Sequence, residues 1–571
     1  MVDIELQKSQ LAAVRERAAE FESRYAENLQ AVHPDLRESA RTLIRYLAVR
    51  QEDTVGLSPA SPAADKHKTS ILGQRPQGRD VSIMVTMPPE AADNMSVVAE
   101  MLDAGMNIAR INCARDDEQA WEAMIRNIRE ASRISAIPCK IVMDLAGPKI
   151  RTGELRPGPR VTHIRPRRDP LGRIIAPRRI RLIPDDVIWQ GTKVAVLPVP
   201  RDCIEYAHLG DEIRFKDTRG KKRRLSVVEK DDKGLVVELY KGAYIATGTK
   251  LRLCRREEGE KLSYRVGELP MIEQPLLLRP GDTLILHRDS IPGAPAVEDD
   301  DGKVIVPAHI SCRQPEAFEF VSAGDRISLN DGKISGVVQS IADEHLEIEI
   351  TKAKPTSSRL RADRGINFPD SDIRLPGLTN TDKNNLKFVV RHADAVSLSF
   401  VRRPIDIVAL QDELDRLGAG DIGLIVKIET KKGFKNLPKL LLTAMRRYPI
   451  AVMIARGDLA IECGWERLAE LQEEILWYCE AAEVPVIWAT QVLEHKTKKG
   501  LASRAEVSDA AMSQRADCVM LNKGPHILAA IHMLDDILRR MQAYQYKKSA
   551  RLGELNPESE GVAEEKIAPI P

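Results

Sequence analysis

Apolar and polar positions follow two rhythms along this chain. Near the start, Leu11, Val14, Ala18, Phe21, Tyr25 and Leu29 recur at steps of three and four, which is one apolar stripe of a helix. His33-Pro34-Asp35 breaks the run, and Leu36, Ala40, Leu43 and Leu47 resume it. The pattern predicts a helical hairpin over 1–52, packed on the main body or on a neighbouring subunit. Residues 53–80 are rich in Ser, Pro, Ala, Gly and Lys and read as a linker.

From residue 81 short β-type runs alternate with helical stretches. Strands are expected at 81–87, 107–112, 139–145, 395–399, 423–428, 450–454, 484–490 and 518–521. Helices are expected near 94–104, 117–133, 382–392, 404–417, 434–446, 465–482, 504–514 and 526–544. Eight β–α units predict an α/β fold, a (β/α)8 TIM barrel formed by 81–152 and 375–546. A doubly wound open sheet is the alternative that periodicity alone leaves open. The polar tail 547–571 is expected to be flexible.

The barrel pattern is interrupted after its third strand by 153–374, a stretch of short β-type runs and turn signals that reads as all-β. It also looks duplicated. Leu155-Arg156-Pro157-Gly158 returns as Leu278-Arg279-Pro280-Gly281, and Gly210-Asp211-Glu212-Ile213 returns as Gly324-Asp325-Arg326-Ile327. The matching order predicts tandem domains, a first copy over 153–277 and a second over 278–374.

Composition narrows the function. Lys+Arg 86 against Asp+Glu 84 gives +2, a balance that does not suit a general nucleic-acid or membrane-surface binder. Aromatic residues at 4% argue against base-stacking platforms. No apolar run is long enough to span a bilayer, and Met-Val-Asp-Ile-Glu-Leu lacks the plan of a secretory signal. Eight cysteines without a CxxC suggest neither a disulfide framework nor a zinc site, so a reducing cytoplasm is the expected home. No nucleic-acid or membrane partner is expected.

Reactive groups of such a barrel gather at the C-terminal ends of its strands. There the sequence places Arg110 and Asn112, then Asp144, Lys149 and Arg151, then Lys427 and Glu429, then Arg456-Gly457-Asp458, then Thr490. Period-two alternation sets Lys427 and Glu429 on one face. Carboxylates from the fifth strand and after the sixth, Glu429 and Asp458, suit one Mg²⁺ or Mn²⁺ ion. The N–H groups of the Gly457-Asp458 turn suit a substrate carboxylate, and the surrounding arginines and lysine suit a phosphorylated anion. A lone Lys-x-Glu or Arg-Gly-Asp is usually a solvated pair or a turn. Five consistent strand ends together point to a site.

These residues sit in segments that resemble the pyruvate kinase family. The segments are Gly105 to Asn112, Asp144 to Gly153 (DLAGPKIRTG), Arg326 to Ser335 (RISLNDGKIS), Arg364 to Pro369, and Ser399-Phe400-Val401-Arg402. Lys427-Ile428-Glu429, Ile454 to Glu462 (IARGDLAIE), Ala489 to Glu494, Arg504-Ala505-Glu506 and Ala516 to Leu521 follow in family order. The likeness covers about 81–155 and 325–545. It implies phosphoryl transfer from phosphoenolpyruvate to ADP, giving pyruvate and ATP, in a homo-oligomer. By position, Glu429 and Asp458 would hold the divalent ion. Lys427 would neutralise the transferring phosphoryl group and enolate oxygen. Arg110 and Arg151 would grip phosphates, and the Gly457 and Asp458 amides would hold the substrate carboxylate. Thr490 would lie where the enolate is protonated. Asn112, Arg110, Asp331 and Arg364 would face the nucleotide. The interruption corresponds to the family's β-domain lid. Its second copy, with Asn330-Asp331-Gly332, is the closer to the family; the first, with Lys216-Asp217-Thr218, reads as additional.

Departures from the family pattern shape the expectations. After Asn112 the chain has Cys113-Ala114-Arg115-Asp116 where the family has an aromatic, Ser, His and Gly. After the eighth strand it has Asn522-Lys523-Gly524-Pro525-His526 where the family has Ser-Gly-Glu-Thr-Ala. Both changes fall on nucleotide binding. The family's C-terminal regulatory domain is expected to be missing, and with it control by a sugar bisphosphate. Of the family's potassium ligands, Asn112 and Asp144 remain, Ala114 replaces a Ser and Leu145 a Thr. Lys149 stands where potassium-dependent members carry Glu. Its tethered ammonium is expected to act as a monovalent-cation surrogate, so potassium should not be required. A metal-dependent lyase or aldolase acting on a pyruvate enolate, and a catalytically silent metabolite- or partner-binding relative, stay open beside the kinase.

Overall fold

The computed structural model describes residues 26–49, 62–187, 195–255 and 261–542. Most of the first helical stripe, from Leu11 to Tyr25, and the tail 547–571 lie outside them. By internal contacts the chain forms two compact units, one of Met1–Arg151, Arg313–Lys354 and Arg364–Pro571, the other of Thr152–Cys312 and Pro355–Asp363.

The first unit holds the barrel. Its strands are Ser82–Thr86, Ile108–Asn112, Lys140–Asp144, Ala395–Leu398, Gly423–Ile428, Ile450–Ala455, Val486–Ala489 and Cys518–Leu521. They close in chain order, the first pairing in parallel with the last through Ser82 and Cys518. The open sheet left as an alternative is thereby excluded. Strands buried on both faces read as continuous apolar runs, not as alternation, and Ile450–Ala455 is buried at every position. Met84, Ile108, Val142, Ile425, Met453, Ile487 and Met520 belong to one buried cluster. A second, larger cluster joins the outward-facing side chains, such as Val85, Ile111 and Val452, to the surrounding helices.

Helix starts follow their caps. The helix Asn380–His392 begins at a capping box, Thr379 with Asp382, and Arg504–Met512 at another, Ser503 with Glu506. The helices Met95–Asp103 and Glu118–Ser135 take side-chain caps from Asn94 and Asp117.

Two N-terminal features refine the reading of the sequence. Helices Ala26–Ala31 and Arg37–Val49 flank a 3₁₀ turn at Pro34–Leu36. Leu36, Ala40, Leu43 and Ile44 join the main cluster, Tyr46 meets Tyr478 edge-on at 5.8 Å, and Ser39 donates to Glu483 at 2.7 Å. The described helices of this region therefore pack on the main body. The expected linker also contains a helix, Pro62–Leu72. Its Ile71 and Leu72 belong to the barrel's interior cluster, and His67 Nε2 accepts the Ile450 N–H at 3.0 Å. This helix caps the N-terminal end of the barrel. A composition of Lys, Ser, Ala and Pro masks it, because only its last turn and one histidine are buried deeply.

Within the second unit, a seven-stranded sheet encloses its own core of Ile180, Leu182, Leu197, Ile213, Leu225, Val237 and Leu253. It contains a parallel pair, Arg178–Pro184 with Ala195–Val199, and a meander of Glu212–Lys216, Lys222–Asp231 and Gly234–Leu239. The short helix Arg201–Tyr206 separates the two. The same order of elements recurs later in the chain. Thr283–His287 pairs in parallel with Ala308–Ser311, the 3₁₀ turn Pro315–Phe320 follows, and then comes the meander of Arg326–Leu329, Ile334–Ala342 and His345–Lys352. That last meander groups with the barrel unit, and Ser328 and Leu329 also pair with Asn367 and Ile366.

Candidate active site

A buried polar chain crosses the C-terminal ends of the first five barrel strands. Thr86, ending the first strand, accepts Arg110 Nη1 at 2.9 Å. Arg110, on the second, is paired through Nη2 with Asp144 Oδ2, at the end of the third. Asp144 Oδ2 also receives Lys427 Nζ at 3.2 Å. Lys427, on the fifth strand, donates to Ser399 Oγ at 2.8 Å, just past the fourth, and lies 3.0 Å from Glu429 Oε1. Only 8% of the Lys427 surface is exposed, so its charge is held by these neighbours and not by water.

The electrostatics are mutual. Burial pushes the Asp144 carboxyl up, but Arg110 and Lys427 outweigh it and hold the group below the usual carboxylate range. Burial pulls the Lys427 ammonium down, yet Asp144 and Glu429 hold it above its ordinary value. Glu429 goes the other way: burial raises its carboxyl and Asp458 raises it further, against Lys427 and Lys149. Asp144 Oδ1 and Arg110 Nε are buried without a hydrogen-bond partner.

Backbone turns fix this cluster. Gly147 has φ +64°, and a Cβ there would lie 2.8 Å from Ser399 O. Asp382 Oδ1 accepts the Ala146 N–H at 3.1 Å, anchoring the same turn. Phe400, at φ +56°, donates its N–H to Glu429 Oε2 at 2.8 Å. Ser399 Oγ donates to Leu145 O at 2.7 Å.

Past the sixth and seventh strands lies a second group. Arg456 donates to Ala489 O at 3.1 Å and to Thr490 O at 2.6 Å, pairs with Asp509, and lies 4.9 Å over the Trp488 ring. Thr490 and Gln491 have φ of +66° and +57°, a strained turn that Arg456 secures. The Gly457 N–H, expected to hold a substrate carboxylate, donates here to Thr490 Oγ1 at 2.8 Å. Lys149 Nζ reaches Asp458 Oδ1 and Oδ2 at 3.0 and 3.3 Å and sits 5.3 Å from the Phe400 ring centre. A Cβ at Gly365 would meet Lys149 Cε at 3.0 Å, so the glycine after Arg364 leaves room for this side chain.

The remaining candidates lie around these groups. Asn112 Oδ1 accepts the Ala114 N–H at 3.0 Å. The Arg151 N–H donates to Gln314 Oε1 at 2.9 Å. Asp331 is exposed at a turn with φ +55°, and the neighbouring Gly332 comes against Ile461 of the helix Arg456–Cys463. Ser399 and Thr86 are partners of the cluster that the sequence reading did not assign a role. Their signal was position alone, each a hydroxyl at or just past a strand end.

Among the described residues no group of three or more His, Cys, Asp or Glu side chains is placed to hold a metal. Glu429 and Asp458 nevertheless feel each other's charge, and Glu429 is raised partly on that account. Two mutually repelling carboxylates fit a divalent ion that takes its other oxygens from water and substrate.

Comparison with known proteins gives these observations a family. The family model described as "Pyruvate kinase, barrel domain" matches residues 78–169 and 297–525. The rat and human proteins named pyruvate kinase PKLR are each 28% identical, over 491 and 483 residues. Those matches take in 84% and 82% of this chain but 62% and 61% of the relatives, so the chain spans about three fifths of their length. Pyruvate kinase of Bacillus licheniformis is 32% identical over 279 residues, 48% of this chain and 44% of the relative.

Proposed function

The chain belongs to the pyruvate kinase family, and from that premise we propose that it transfers the phosphoryl group of phosphoenolpyruvate to ADP, giving pyruvate and ATP. The observation that carries this reading is the convergence of Asp144, Ser399 and Glu429 on the Lys427 ammonium at the strand ends. Phosphoryl transfer asks for positioning and charge neutralisation more than for covalent help. A buried, fully charged lysine supplies the second without reorganising at the moment of reaction.

Each residue takes a proposed role at the strand ends. Lys427 faces the transferring phosphoryl group and the developing enolate oxygen. Arg110, aligned by Thr86 and Asp144, adds a second fixed cation. Arg151 joins it on the phosphate side. Thr490 Oγ1 is occupied as an acceptor by the Gly457 N–H, which leaves its own hydrogen free to be directed at the enolate face. The Asp458 amide, beside Gly457, completes the carboxylate end of the substrate site. Asn112, Asp331 and Arg364 face the nucleotide. Glu429 and Asp458 would hold Mg²⁺ or Mn²⁺, which when bound neutralises phosphate charge.

Potassium independence is part of the proposal. Asn112 Oδ1 accepts the Ala114 N–H and Leu145 O accepts Ser399 Oγ, so two of the oxygens left for a monovalent ion already carry one hydrogen bond each within the chain. The Lys149 ammonium is built into the same mouth. Burial holds the Cys113 thiol well above its ordinary value, so that residue brings no nucleophile to the site.

A coupled assay of pyruvate release with phosphoenolpyruvate, ADP and Mg²⁺ tests the reading. ADP-dependent pyruvate is expected. Pyruvate formed without ADP would point to lyase chemistry on the enolate, and phosphoenolpyruvate binding without turnover to a silent relative.

A further inference from the structure

A cavity of about 210 Å³ lies beside the catalytic cluster, in the same compact unit. Its walls are the connector 366–373, Phe400 and Arg402, and the short helix Lys431–Lys435 with Thr430 before it. Lys427, Arg110, Asp144 and Asp458 do not line it.

The charges around it are unevenly satisfied. Each carboxylate of the lining has a partner: Asp370 is held by Arg326 at 2.7 and 2.8 Å, Asp372 by Arg374 at 3.1 Å and Lys432 at 3.6 Å, and Glu462 by the Asn367 amide at 2.7 Å. Burial also raises the Glu462 carboxyl, which weakens its opposition to nearby cations. Arg402, Lys431 and Lys435 line the same space, and among the described residues none of the three has an ion pair. Lys431 and Lys435 are four apart on one helix, so both ammoniums share a face. Arg402 is half-buried, and burial lowers its guanidinium against the opposing charges of Glu462, Asp406 and Glu429, none of which forms an ion pair with it.

We propose that this cavity binds a small phosphate-bearing anion, held by Arg402, Lys431 and Lys435. A guanidinium with two ammoniums matches a phosphate dianion in charge, and the planar fork of arginine gives it a bidentate seat. The volume suits inorganic phosphate or a short phosphate monoester. Phe400 is the link to the reaction centre, since it lines the cavity while its N–H holds Glu429. The occupant is thus an effector candidate and not a substrate.

Isothermal titration of the full chain with inorganic phosphate and with glycerol 3-phosphate, at fixed ionic strength in chloride, tests the site. A Lys427→Met background removes the catalytic seat for phosphate. Binding is expected to persist there and to weaken at least tenfold when Lys431→Gln and Lys435→Gln are added, with Arg402→Met acting alike. If Lys427→Met does not fold, the wild type should show two binding events and the double lysine variant one. Tighter glycerol 3-phosphate binding would identify a phosphorylated metabolite as the occupant; equal affinities would identify phosphate itself. Loss of all phosphate binding in Lys427→Met, or binding unchanged by the lysine and arginine substitutions, would overturn the proposal.

Discussion

Lys149 Nζ holds both carboxylate oxygens of Asp458, at 3.0 and 3.3 Å. The ammonium therefore sits on one of the two carboxylates that suit the divalent ion, and the two cations compete for it. Lys149→Met should bind Mn²⁺ more tightly than the wild type, by about tenfold, or ~1.4 kcal/mol. Electron paramagnetic resonance of free Mn²⁺ reads this without turnover. An unchanged Mn²⁺ affinity would show that the pair gives way at no cost.

The same lysine underlies the expected indifference to potassium. Turnover of phosphoenolpyruvate should be similar in potassium and in tetramethylammonium at matched ionic strength. Lys149→Glu should create only a weak potassium requirement, because Ala114 offers no side-chain oxygen and Asn112 Oδ1 is already engaged. Strong activation of the wild type by potassium would refute the surrogate role.

Gly147 tests the support beneath Lys427. Its φ is +64°, and an added Cβ would lie 2.8 Å from Ser399 O. Gly147→Ala should cost about 1–3 kcal/mol of stability through the left-handed backbone and the close contact. It should also lower kcat by displacing Ser399, the hydroxyl bound to Lys427. Denaturant melts and initial rates measure the two effects, and a variant with unaltered stability and kcat would contradict the packing described.

His67 sets a pH dependence of stability. Burial lowers its pKa from 6.5 to about 4, and Nε2 accepts a backbone N–H from Ile450. A histidine depressed in the folded state is protonated more readily when unfolded. Its stabilising share is whole above pH 6.5 and is lost progressively as pH falls toward about 4, amounting to at most ~3 kcal/mol. Melting temperatures should fall between pH 7 and pH 5, and His67→Gln should fall less over that interval. Parallel pH profiles would contradict the burial of a neutral imidazole.

The barrel was legible because strands buried on both faces leave dense apolar runs between capped helices, as in Gly423–Ile428 and Ile450–Ala455. Lys427, Glu429 and Asp458 were legible as candidates because strand ends can be counted. The pairing of Lys149 with Asp458 was not, since it joins residues 309 positions apart and exists only once the barrel closes. Ser399 and Thr86 were given no role for the same reason: their place at a strand end does not single out a hydroxyl until a charged neighbour is set against it. The helix Pro62–Leu72 was hidden by a linker-like composition, although its Ile71 and Leu72 are almost wholly buried.

The most direct measurement is ADP-dependent pyruvate release by the wild type and by Lys427→Met, with thermal melts confirming that both are folded. Turnover should be measurable in the wild type and lower by about 10²–10³ in the variant, the loss of ~3–4 kcal/mol that removal of a preorganised charge-stabilising group brings. Near-normal turnover without the Lys427 ammonium, or none in the wild type, would contradict phosphoryl transfer at this site.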